Sequence, residues 1–409
     1  MIIPSIDIFD GQAVQWRQGK EPVIARDDIF ELLEEFSLYG EVAIIDLNAA
    51  TGKGDNESLI LKLLKKKSCR VGGGIRTLEI AQNYIKAGAS KIILATAATE
   101  DWVKNIAPEN LIFAIDANGD EWLTHGWQKG TGKKVLDILP ELEKNCSEFL
   151  YTQVAKEGML QGIDKDRIQQ ILEKSSLPVT VAGGITTTDD ICWLQRRGAN
   201  AQIGMAIYTG KIQLNDAFID CVDFEKSVLI PTIVQDFKSK DILMLAYSNK
   251  ISLTAALTER KGIYWSRSRD QLWRKGDTSG HSQQLINVDM DCDADTLIFQ
   301  VNQTGKACHL HRWSCFPSQS KRFNLASLDE VFQQRLDNPQ QNSYTSQLFE
   351  SRDFQAEKLR EETEELIETD SFYEARWEAS DLLFFTLIAA KSRGVSISDI
   401  VNELRSRHK

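Results

Sequence analysis

The sequence predicts a (β/α)8 TIM barrel, then a β-rich α+β domain, then an all-helical domain, with boundaries at residues 1–222, 223–321 and 322–409. Three observations predict it. Up to about residue 222, short apolar runs alternate with amphipathic helical stretches; aromatic and arginine-bearing strands with glycine turns follow; the remainder is charged and helical in period. At 409 residues the chain exceeds what a single hydrophobic core serves, so several domains are expected.

With 42% apolar and 26% charged residues, the chain falls outside the collagen-like and wholly disordered classes. A formal charge of −11 argues against a nonspecific grip on nucleic acid, which needs a basic surface to displace counterions. Anionic small molecules would have to be held by local backbone amides, arginines or bound cations. No run is long and apolar enough to span a bilayer, and Met1-Ile2-Ile3-Pro4-Ser5-Ile6-Asp7 lacks a basic leader, so a cytoplasmic protein without membrane partners is expected. Cys69, Cys146, Cys192 and Cys221 are scattered through apolar segments and read as reduced core residues, whereas Cys292, Cys308 and Cys315 cluster as metal ligands would.

The eight barrel strands are placed at residues 2–7, 42–47, 69–73, 91–96, 111–116, 148–153, 178–184 and 200–205. An internal repeat supports them. Val71-Gly72-Gly73-Gly74-Ile75-Arg76 returns as Val181-Ala182-Gly183-Gly184-Ile185-Thr186, and both copies run through a Gly-Ala pair into another strand. Asp7 is echoed by Asp116 at almost the same offset, which makes the barrel two duplicated halves with an acid at the end of opposite strands. Two acids across a pocket suit proton transfer, and glycine turns in both halves, leading into helix starts, suit a substrate with a phosphate at each end.

With Asp10-Gly11, Asp46-Leu47, Gly126-Trp127 and Thr152 added, residues 1–220 resemble the isomerase of histidine synthesis that acts on phosphoribosylformimino-AICAR ribotide (ProFAR). The resemblance implies an Amadori rearrangement to PRFAR with Asp7 as general base and Asp116 as general acid. It also implies that Gly73, Gly74, Arg76, Thr96, Trp127, Thr152, Gly183, Gly184 and Gly204 hold the substrate and its phosphates. The chain departs from the family pattern at Gln153, at Glu157-Gly158-Met159, at Ala95 and in a short loop after Gln18-Gly19. A barrel that is inactive, or that acts on another Amadori substrate such as phosphoribosylanthranilate, is the alternative reading.

In Asp289-Met290-Asp291-Cys292-Asp293-Ala294-Asp295, extended geometry would project Asp291, Asp293 and Asp295 to one face for Mg²⁺. Cys292 would point to the other face, to join Cys308 and Cys315 around a zinc ion that keeps one position open for water. With Trp265-Ser266-Arg267-Ser268-Arg269, Lys275-Gly276-Asp277-Thr278-Ser279-Gly280-His281 and Ala307-Cys308-His309, this zinc domain resembles phosphoribosyl-AMP cyclohydrolase. The resemblance implies opening of the adenine ring by zinc-bound hydroxide, with phosphate on Arg267, Arg269 and Lys275 and a proton shuttled by His309. It further implies a homodimer that shares zinc ligands between subunits.

In the tail, Glu362 and Glu365 share one helix face, and Glu378 with Asp381 repeats the spacing on the next helix, a set of carboxylates suited to Mg²⁺. With Arg335, Pro339 and Ser343-Tyr344-Thr345, this all-α, MazG-like domain resembles phosphoribosyl-ATP pyrophosphohydrolase, an enzyme of ATP-derived nucleotides, and Lys358 becomes a phosphate contact. The three resemblances together imply a trifunctional enzyme for the second, third and fourth steps of histidine synthesis.

Overall fold

The computed structural model describes residues 1–17, 21–124, 127, 129–319 and 323–408. Residues Met1–Ser320 cluster as one compact unit and Lys321–Leu404 as a second. Gly126 and the loop residues Gln18 and Gly19 lie outside the described residues.

In the first unit, eight parallel strands close on themselves: Ile2–Phe9, Ala43–Asp46, Arg70–Gly72, Lys91–Leu94, Leu111–Asn118, Glu148–Gln153, Val179–Ala182 and Asn200–Ile203. Each strand pairs with the next, and the eighth returns to the first through Ile2↔Ala201. The near-continuous apolar runs arise because these strands are buried on both faces, by the barrel interior within and by helices outside. Among the described residues, six of the seven crossovers between successive strands carry an α-helix longer than one turn, whereas the fourth passes through 3-10 turns at Thr96–Thr99, Asp101–Asn105 and Pro108–Asn110.

The duplication reaches beyond the repeat seen in sequence. The first strand folds back into a ribbon with Gln12–Arg17 and Glu21–Arg26, and the fifth does the same with Glu121–Thr124 and Lys129–Lys134. Asp7 pairs across its hairpin with Val14, and Asp116 across its own with Leu123. Both helices that precede a Gly-Ala pair end in the same way, the Ala89 amide donating to the Tyr84 carbonyl and the Ala199 amide to that of Leu194.

Residues 230–303 build a four-stranded sheet in the order Ile242–Ser248, Ile230–Asp236, Leu297–Gln303, Gln283–Met290, with a separate ribbon of Ile263–Ser266 and Gln271–Arg274. Helix Lys250–Glu259 begins with a capping box between Asn249 and Ser252. Within this unit the β-rich region hydrogen-bonds to the barrel: the Asn287 amide donates to the Ser37 carbonyl at 3.2 Å and Arg260 to that of Glu34 at 2.9 Å.

The second unit is helical. Arg352–Glu368 and Phe372–Lys391 form its longest pair, over a core of Phe332, Leu348, Phe385 and Ile388. Among the described residues, no helix is long and apolar enough to cross a membrane.

Candidate active sites

The carboxyl ends of the barrel strands surround a cavity of about 580 Å³. Asp7 and Asp116 line it from opposite strands, together with Gly73, Gly74, Arg76, Thr96, Trp127, Thr152, Gly183, Gly184 and Gly204. At Gly183, φ is +84°, and a Cβ would meet the Gln153 carbonyl oxygen at 2.8 Å, so only glycine lets the loop pass this close to the sixth strand. Gly73 is held in the same way against the Asp46 backbone.

The helix starts expected to face the phosphates do not line the cavity. Leu78–Lys86 and Thr188–Gln195 are capped by the Thr77 and Thr187 side chains, which accept from the Ile80 and Asp190 amides. The glycine loops themselves face the cavity, together with the first residues of two short turns, Thr96–Thr99 after the fourth strand and Met205–Tyr208 after the eighth. Cradles at strands three and four and at strands seven and eight therefore stand on opposite sides of the barrel.

Burial pushes the Asp7 carboxyl up to about 6, against a 2.6 Å hydrogen bond from the Ser5 hydroxyl. Burial raises Asp116 likewise to about 6, and hydrogen bonds from Thr152 and Trp127 oppose the rise. The sequence reading missed a third acid. Glu157 lines the same cavity, and its Oε2 is buried with no hydrogen-bond partner among the described residues. Burial, reinforced by Asp7 and Asp116, lifts it to about 8, so it keeps its proton when they have lost theirs. Its place in an unusual Glu-Gly-Met triplet was the signal. Gln153, the other departure, serves the fold, since its side-chain oxygen accepts from the Asp164 amide at 3.1 Å and fixes the loop between them.

In the β-rich region the three aspartates do converge, their nearest oxygens lying within 4.8 Å of one another, but not along a strand. The strand ends at Met290, and residues 291–296 form a turn with Ala294 at φ +60°. Asp291 braces this turn by accepting from the Asp295 and Thr296 amides. The Lys226 ammonium, which no motif pointed to, bridges Asp293 at 2.7 Å and Asp295 at 3.2 Å. A positive charge there is what a cation site would supply, so the oxygen set fits a hard divalent ion.

Cys308 and Cys315 are neighbours. Burial and the adjacent Cys308 hold the Cys315 thiol above its usual range, and the Leu310 amide donates to the Cys308 sulfur at 3.4 Å. Cys292 is exposed on the aspartate turn and does not join them in a three-thiol cluster within one chain. Lys275 stands against the cysteine pair, its ammonium donating to the Ala307 carbonyl at 2.6 Å. His309 is exposed on the tight turn after Cys308; Arg267 stacks on Tyr247 at 3.9 Å, and Arg269 donates to Ser266 at 3.2 Å.

In the helical unit, Glu362, Glu365 and Glu378 bring oxygens within 4.8 Å of one another. Burial and then the charges of Asp381 and Glu365 raise Glu362, and burial with the charges of Glu365 and Asp381 raises Glu378, so the four acids stand in one field. Lys358 is paired with Glu361 at 2.6 Å. Phe385 belongs to the core.

The architecture is that of a multidomain enzyme with a separate acidic or thiol-bearing centre in each part. Over residues 1–213, more than half its length, the chain matches the family described as histidine biosynthesis protein, and it belongs to that family. Residues 244–317 match phosphoribosyl-AMP cyclohydrolase and residues 325–408 match phosphoribosyl-ATP pyrophosphohydrolase, both metal-dependent families. Among relatives, the carboxamide isomerase of Methanocaldococcus jannaschii is 34% identical over 230 residues, 53% of this chain and 97% of the relative. The bifunctional histidine-biosynthesis protein HisIE of Caldanaerobacter subterraneus is 37% identical over 196 residues, 46% of this chain and 96% of the relative. A trifunctional histidine-biosynthesis protein of Kluyveromyces lactis is 41% identical over 182 residues, 44% of this chain but only 22% of that longer protein. Isomerase-, cyclohydrolase- and pyrophosphohydrolase-type domains thus follow one another along the chain.

Proposed function

We propose that this chain carries out three successive steps of histidine synthesis. The helical domain hydrolyses phosphoribosyl-ATP to phosphoribosyl-AMP and pyrophosphate, the middle domain opens the adenine ring, and the barrel converts ProFAR to PRFAR. The observation that carries the barrel's part is the pair of opposed acids between two cradles. A substrate with a phosphate at each end fills both cradles, whereas phosphoribosylanthranilate, with one phosphate, leaves one empty. Asp116 donates a proton to the aminoribose ring oxygen and opens the ring; Asp7 then takes the proton from the second carbon. The substrate's own negative charge raises both acids further, which helps Asp116 hold its proton near neutral pH.

In the middle domain, Cys308 and Cys315 of one subunit with Cys292 of a second copy would hold zinc, and the aspartate turn would hold Mg²⁺. Bound there, zinc supplies the acidified water that the ring opening needs. Lys275, beside the cysteine pair, then orients the anionic nucleotide. The placement of Cys292 apart from the other two thiols supports a homodimer, as do the exposed Phe372, Tyr373 and Trp377 of the tail. In that tail, Glu362, Glu365, Glu378 and Asp381 would hold Mg²⁺ against the triphosphate, with Lys358 at its edge.

The test is to feed phosphoribosyl-ATP to the purified full chain with zinc and magnesium and identify the last product. PRFAR is expected. Accumulation of ProFAR would overturn the barrel assignment, and accumulation of phosphoribosyl-AMP the middle one. Cys308→Ser should lose tightly held zinc and at least about a hundredfold of ring opening, with pyrophosphate release unchanged.

A further inference from the structure

Two cysteines outside all three sites face each other on the outer wall of the barrel. Cys192 lies on helix Thr188–Gln195 and Cys221 ends helix Leu214–Cys221. Their sulfurs are 2.6 Å apart, against about 2.0 Å for a covalent S–S bond. Sequence alone reads them as unrelated core thiols, because 29 residues separate them. Both are largely buried, yet Cys192 also lines a recess of about 310 Å³ whose walls include Lys165, Arg196 and Arg197, with Asp189 and Asp220 as its acids.

We propose that Cys192 and Cys221 are a redox-active thiol pair, reached through this basic recess and oxidised to an intramolecular bridge by a small anionic disulfide. Cys192 lines the recess beside Arg196 whereas Cys221 does not, and the hydrogen bond that the two thiols share, with Arg196 nearby, holds Cys192 below the usual thiol range while Cys221 is pushed up. Cys192 is therefore the attacking sulfur and Cys221 the resolving one. The Cys192 thiolate attacks one sulfur of the incoming disulfide, that S–S bond breaks, and the first thiolate leaves with the proton of Cys221. The Cys221 thiolate then attacks the Cys192 sulfur and expels the second thiolate, which takes a proton from water. The two cysteines lose two electrons, and the disulfide is reduced to two thiols. The bridge ties the helix after the seventh strand to the last helix of the barrel.

The full-length protein is incubated with oxidised glutathione, denatured, alkylated and mapped by peptide mass spectrometry. The Cys192 and Cys221 thiols should both be lost to alkylation, with a Cys192–Cys221 crosslinked peptide that dithiothreitol reverses. Cys221→Ser should trap glutathione on Cys192. An uncharged disulfide, hydroxyethyl disulfide, should react more slowly than the anionic one; equal rates would remove the recess from the proposal. Cys192 and Cys221 still alkylated after treatment, or glutathione held on Cys192 in the unsubstituted protein without a bridge, would overturn it.

Discussion

The two ends of the barrel treat buried carboxylates in opposite ways. At the amino ends of the strands, Glu148 is held by Arg70 at 2.5 Å and Lys91 at 2.9 Å, with the Thr180 hydroxyl donating to it. Burial works against its charge there, but these partners outweigh burial and hold the carboxyl below its usual range. At the carboxyl ends, Asp7, Asp116 and Glu157 meet only weak compensation, and burial lifts all three. One end spends its acid on holding the fold, while the other keeps proton affinities near neutrality, where acid–base catalysis works.

The largest expected effect comes from Asp7→Asn, which keeps shape and removes the base. Isomerisation should fall by about 10³-fold or more, with thermal stability at or above that of the parent protein. A rate within a few-fold of the parent would break the assignment of the cavity end.

Next in size is Arg70→Met at the other end. It leaves Glu148 buried with Lys91 and the Thr180 hydroxyl and should cost about 3 kcal/mol of stability at pH 7. Glu148 is depressed in the fold, so its contribution is present above the unfolded pKa and lost as pH falls through the lower folded value. The deficit, read by urea denaturation, should therefore shrink in acid; a deficit equal at pH 4 and pH 7 would show that the charge pair is not its source.

Glu157→Gln should give the opposite sign. Because Glu157 is raised from 4.5 to about 8, the folded protein binds the extra proton and loses stability as pH climbs across that interval. The amide carries no such penalty, so the variant should gain on the order of 4 kcal/mol over the parent near pH 8 and nothing near pH 4. A parallel pair of pH–stability curves would remove Glu157 from the proton-holding group.

The smallest effect is expected in the tail, where Glu365 is exposed to water. Glu365→Gln should raise the magnesium concentration needed for pyrophosphate release by about tenfold, with ring opening from supplied phosphoribosyl-AMP unchanged. Unaltered magnesium dependence would remove Glu365 from the metal set.

Much of this was legible beforehand. The eight strands could be read because burial on both faces makes them apolar throughout, and Asp7 and Asp116 because the repeat places them alike. The ribbons after them were not, since Lys129–Lys134 is polar and exposed and carries no strand signal. The aspartates of the middle domain were found as a group but assigned the wrong backbone, because the left-handed turn at Ala294 reverses the chain where alternation predicted a strand.

By itself the sequence determined which residue types recur at which spacing: the barrel's period, its duplicated acids, the thiols and the helical carboxylates. Only the tertiary structure decided which of them lose water and which find partners. It made Glu157 a proton holder, paired Cys192 with Cys221 and left Cys292 apart from Cys308 and Cys315. The physical reason is that proton affinity and ligation depend on distance and desolvation, quantities that arise when segments far apart in the chain are packed together.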